Sequence, residues 1–103
     1  MARAEIVAGN CGFGTVVETE MDGATVQIKI ESECVAIQKL AAVLTEVSPY
    51  QEISFRDEGP KTLRLGTEYC THAACPVPVG IIKAIEIEAG LALPTDAVIK
   101  LSK

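Results

Sequence analysis

The residues of this chain best suited to chemistry are four cysteines, Cys11, Cys34, Cys70 and Cys75. A thiolate is a soft metal ligand, a nucleophile and half of a disulfide, so placement decides among these uses. Cys70 and Cys75 are separated by four residues, among them His72, the only histidine. C-x4-C lies at the upper end of the short loops that wrap a zinc ion. His72 reads as a solvent-facing loop residue or a hydrogen-bond donor behind the ligands, and alternatively as a ligand in a Cys3His site. Each cysteine also has a plain reading as a small buried hydrophobe. No Ser–His–Asp set or carboxylate pair stands out, and one histidine limits acid–base schemes, so the chain reads as non-catalytic by itself.

Several elements must position these thiols. Residues 3–8 read as a short strand ending at Gly9-Asn10, and Cys11-Gly12-Phe13-Gly14 as a loop. The glycines there allow a tight backbone approach around Cys11; no strand–GxGxxG–helix context makes them a nucleotide loop. Thr15–Thr19 is β-branched, Met21-Asp22-Gly23 is a hairpin signal, and Thr25–Glu31 alternates with Val26, Ile28 and Ile30 on one face. Ser32 suits an N-cap for an amphipathic helix carrying Ile37, Leu40, Ala41, Leu44 and Val47, closed by Pro49. Asp57-Glu58-Gly59-Pro60 reads as a turn or helix start, and Thr62–Tyr69 as a helix or a strand, with helix preferred. A second clear helix is expected over 79–89, with Gly90 just beyond its end; Glu86 and Glu88 read as its solvated face. After the turn at Leu93-Pro94-Thr95-Asp96, residues 97–101 alternate as a closing strand. The expected fold is α+β: an antiparallel sheet of about four strands with two main helices on one face, in the order β-β-β-α-α-β, as a single domain over 1–103.

That order brings the thiols together. Cys11 precedes the first hairpin strand and Cys34 follows the second, at nearly equal distances from the turn, so both belong at the open end of the hairpin. Cys34 opens one helix and Cys75 the other, and a helix N-terminus favours thiolate. The expectation is a four-cysteine site of Cys11, Cys34, Cys70 and Cys75.

Composition bounds the rest. Apolar residues make up 49% of the 103, which argues against disorder, and with 4% aromatics and no Trp the core must be aliphatic. The net charge of −5, with scattered basic residues, disfavours nucleic acid and anionic membranes as partners. No segment approaches the roughly 18 apolar residues needed to cross a bilayer, and the N-terminus lacks an export core. A cytoplasmic protein follows, and in that reducing compartment four cysteines suit metal or redox use better than a disulfide framework. The acidic surface allows a basic protein partner, and a strand edge leaves a homodimer open.

Cys70-Thr-His-Ala-Ala-Cys75-Pro-Val-Pro-Val-Gly80, running on to Pro94, resembles the C-terminal signature of a small uncharacterised family of anaerobic prokaryotes, with Cys11-Gly12-Phe13 and Cys34 also matching. The likeness covers nearly the whole length and implies a stand-alone domain with a shared cysteine set. Cys34, Cys70 and Cys75-Pro76 also resemble the outline of the TSCPC domain, associated with cobalamin-dependent ribonucleotide reductases, with Ala73-Ala74 in place of its Thr-Ser. That resemblance implies metal or thiol use. The functional expectation is a zinc or iron–sulfur module. Zinc is slightly favoured because it needs only tetrahedral thiolates; Cys75-Pro76, as in bacterial ferredoxin motifs, also suits a cluster. The alternatives are a thiol redox protein using Cys70 and Cys75, and an interaction module with inert cysteines.

Overall fold

A computed structural model describes all residues, 1–103. Three strands open the chain: β1 (Ala2–Val7), β2 (Gly14–Asp22) and β3 (Thr25–Ser32). They form an antiparallel meander. Thr15 pairs with Ser32 at the open end of the β2–β3 hairpin and Asp22 with Thr25 at its turn, where Gly23 takes a left-handed φ of 64°. One strand face is apolar because the period of two sends Val17, Val26 and Ile28 inward, together with Thr15 and Thr19. The other face carries Arg3, Glu5, Lys29 and Glu31 to solvent.

Four helices follow: α1 (Val35–Val43), α2 (Pro49–Glu52), α3 (Lys61–Tyr69) and α4 (Val77–Glu88). Helix α4 packs over β1 and β2, α1 over β3, and α3 fills the space between α1 and α4. The core is aliphatic, as the composition demands: Ile37, Leu40 and Leu44 from the first helical stretch meet Val77, Ile81, Ala84 and Ile85 from α4 above the strand valines. Two close approaches set the helix positions. At Gly80 a Cβ would stand 2.7 Å from Ile6 Cγ1, so the missing side chain lets α4 lie against β1. At Gly66 a Cβ would meet Pro78 Cγ at 3.0 Å, which brings α3 against the first turn of α4.

The α+β architecture of a four-stranded antiparallel sheet with helices on one face matches the expectation, but its fourth strand is not the expected one. Residues 97–101 form no strand, and every residue from Leu93 onward is exposed. The fourth strand is instead β4 (Glu46–Val47), paired antiparallel with Val26 and Gln27 of β3. It lies in the stretch read as the end of the first helix, which stops at Val43. Val47 is buried either way, so the periodicity that suggested a longer helix is satisfied equally by a bridge to β3. Pro49 accordingly opens α2 rather than merely closing α1, as a residue with no free N–H can at a first helical position. The last helix begins two residues earlier than expected. No helix is long and apolar enough to cross a membrane.

Candidate functional site

Helix direction places the thiols. Glu88, at the last turn of α4, accepts a hydrogen bond from Met21 N at 2.9 Å and pairs with the N-terminal amine at 3.2 Å. The C-terminus of α4 therefore sits at the turn end of the hairpin, and its start, with Cys75 two residues ahead, lies at the open end. Cys34 occupies the N-cap of α1, just past the end of β3, and its side chain makes no capping bond. Cys70 is the C-cap of α3. The loop from Cys70 to Cys75 is tightened by Cys75 N donating to His72 O at 3.2 Å. Three thiols thus arrive where α1 and α4 begin and α3 ends. All three are half-buried and pack against the hydrophobic core.

The electrostatics report their proximity. Burial pushes the Cys70 thiol up to about 11, and the charge of Cys75, hydrogen bonding to Cys75 and then the charge of Cys34 all act in the same direction. No basic residue is among the causes, so no positive charge there favours the Cys70 thiolate. Helix polarity adds an asymmetry: Cys34 and Cys75 stand at positive N-terminal ends and Cys70 at a negative C-terminal end. The proton is held on Cys70.

Cys11 is placed differently. It lies in the turn closed by Gly12 N to Gly9 O at 2.9 Å, with Gly9 and Gly12 at left-handed φ of 87° and 73°. The loop joins β1 to β2 at the same open end of the sheet, but the Cys11 side chain is exposed and is not among the groups acting on Cys70. His72 is exposed in its loop. All four cysteines are free, and no three Cys, His, Asp or Glu side chains converge in ligating geometry. The donor chemistry nevertheless suits a thiophilic cation, because Cys34, Cys70 and Cys75 supply three soft ligands at one half-buried junction without a competing positive charge.

Two carboxylates fasten the helices that frame this junction. Glu52 is 2% exposed, yet its carboxylate accepts from Thr62 Oγ1 at 2.6 Å, Thr62 N at 2.8 Å and Lys61 N at 2.9 Å. It thereby caps α3, whose own N-cap is Pro60 and has no side-chain donor or acceptor to give. The helix that delivers Cys70 is thus fastened at its far end by a residue nine positions upstream. Only the capless start at Pro60-Lys61 hinted that an outside acceptor was required. Glu88 is likewise not a purely solvated residue: its bond to Met21 N, and then its contacts at the N-terminus, hold its carboxyl below the usual range.

No curated protein and no solved structure matches the chain. A family model does, over residues 2–101, and its description is a family of unknown function, DUF6951. The chain belongs to that family, in keeping with its resemblance to a small uncharacterised one.

Proposed function

We propose that this protein is a small cytoplasmic thiolate metal module, with no catalysis of its own, that binds zinc or an iron–sulfur cluster through Cys34, Cys70 and Cys75. Zinc is the preferred ion. The observation that carries the reading is the meeting of three half-buried thiols at one junction, where burial and neighbouring charge push Cys70 up to about 11 and no basic side chain relieves them. A thiophilic cation supplies that relief, displacing the proton from Cys70 as it binds. Cys11, exposed on its loop at the same end of the sheet, is the proposed fourth ligand. His72, on the loop between Cys70 and Cys75, is the alternative fourth ligand or a hydrogen-bond donor to a ligating sulfur. Ligation requires the thiols to draw closer than they stand, so binding is coupled to a local rearrangement of the Cys70–Cys75 loop and the Cys11 loop.

The test is anaerobic purification followed by elemental analysis, absorption spectroscopy and thiol titration. One equivalent of zinc with colourless protein supports the zinc form; iron and sulfide with visible absorption support a cluster. Cys34→Ser and Cys70→Ser should each abolish stoichiometric binding, whereas Cys11→Ser should weaken it and leave three ligands. Metal-free protein with four titratable thiols that takes up no added zinc sinks the reading.

A second reading is favoured by the coupling of Cys70 to Cys75. Cys75 at a helix start would be the attacking thiolate and protonated Cys70 the resolving thiol, with peroxide as the oxidant: Cys75 sulfur takes one peroxide oxygen to give a sulfenic acid and water, and Cys70 then displaces a second water to form the disulfide. Mass spectrometry after mild peroxide decides it. A reversible Cys70–Cys75 disulfide in metal-free protein supports redox use, and intact thiols exclude it.

A further inference from the structure

The C-terminal segment and the free edge of β1 match each other as strands. Residues 97–101, Ala-Val-Ile-Lys-Leu, alternate in the manner of a half-buried strand, yet Val98, Ile99 and Leu101 are 73%, 78% and 88% exposed. Such a run of large apolar side chains in water is costly and marks an interaction surface. In the sheet, β1 is an outer strand. Ala8 N donates to Phe13 O, and the β1–β2 register continues from that pair. Ala4 and Ile6 therefore turn their main-chain groups to β2, while Arg3, Glu5 and Val7 turn theirs outward, unpaired. Ala4 and Ile6, whose side chains face the helices, are only half-covered.

We propose that residues 97–101 of one copy add as a strand to β1 of a second copy, reciprocally, giving a two-fold symmetric dimer. An antiparallel register with Val98 opposite Val7 and Lys100 opposite Glu5 satisfies both faces at once. It sets Ile99 against Ile6 and Leu101 against Ala4 on the core side. On the open side it joins two exposed valines and an opposite-charge pair. The main-chain groups of Arg3, Glu5 and Val7 gain partners from Ser102, Lys100 and Val98, none of which is proline. The reciprocal exchange is isologous, the arrangement a closed dimer requires.

Sedimentation velocity across the micromolar to submillimolar range, with hydrogen exchange of the β1 amides, tests this on the full chain. The expected result is a dimer mass, with the Arg3, Glu5 and Val7 amides slowed at least about tenfold as concentration rises. Ile99→Asp with Leu101→Asp should return the mass to monomer without lowering the cooperativity of urea unfolding, since both side chains are exposed in the single chain. Lys100→Glu should weaken the dimer, and adding Glu5→Lys should restore it. A monomer at all concentrations overturns the proposal, including one whose β1 amides are protected by its own tail folding back. A dimer insensitive to the Ile99 and Leu101 changes overturns it as well.

Discussion

The Cys70 thiol offers the sharpest quantitative test of how the helix junction works. Its position at about 11 leaves roughly 0.1% thiolate at pH 8, against about a quarter for a free cysteine of pKa near 8.5. That is a deficit of about 200-fold in the reactive form. A more basic thiolate is intrinsically more nucleophilic, which recovers about tenfold for a shift of this size. Cys70 should therefore alkylate roughly 20-fold more slowly than an unperturbed thiol at pH 8, before any slowing by its half-buried position. The assay is pulsed iodoacetamide labelling with peptide-resolved mass spectrometry, which reads all four cysteines in one sample. Exposed Cys11 should label ahead of Cys70, and the Cys70 rate should climb log-linearly from pH 7 to pH 10 without a plateau. Cys75→Ser removes a neighbouring charge and a hydrogen-bond partner and should speed Cys70 several-fold. It should not restore an ordinary rate, because burial is the larger cause. Cys70 labelling as fast as Cys11, with a plateau near pH 9, would refute the reasoning from burial and thiol–thiol repulsion.

Three further outcomes bear on the frame around the site. Glu52→Ala orphans the Thr62 hydroxyl and two backbone N–H groups at the start of α3; it should cost roughly 2–4 kcal/mol, read by urea unfolding. Gly80→Ala drives a methyl toward Ile6 Cγ1 at 2.7 Å; the clash of about 1–3 kcal/mol should outweigh the gain of up to about 1 kcal/mol in helix propensity, so the melting temperature falls. Ile6→Val in the same background should recover part of that loss. For Glu88, a carboxyl held below its ordinary range contributes stability that is present at neutral pH and lost as pH falls through its lowered folded value. Glu88→Gln should therefore lower the melting temperature at pH 7, with the gap to the parent closing in acid; a gap independent of pH would show that the carboxylate charge plays no part.

How much of this was legible before folding depends on how local each cause is. The β2–β3 hairpin follows from strict alternation over Thr25–Glu31 and from Met21-Asp22-Gly23, because turn chemistry and a period of two act between neighbours in the chain. Both main helices follow from apolar spacing, and Cys34 and Cys75 could be set at helix starts for the same reason. The sequence by itself determined these elements and the end of the sheet to which the cysteines come. Tertiary structure decided the rest. A two-residue strand has no period to read, so β4 existed only once β3 offered its edge to Thr45–Val47. Residues 97–101 carry a strand pattern as good as Thr25–Glu31, but a strand is a relation between two segments, and within one molecule this one has no partner. Glu52 looked like any surface carboxylate until α3 presented three unpaired donors to it. The four thiols also separated by packing: Gly66 against Pro78 carried Cys70 and Cys75 inward beside Cys34, while the glycine-hinged turn left Cys11 in solvent. Desolvation and charge act across space rather than along the chain, so the identity of the buried three and the proton held on Cys70 were decided by the packed fold.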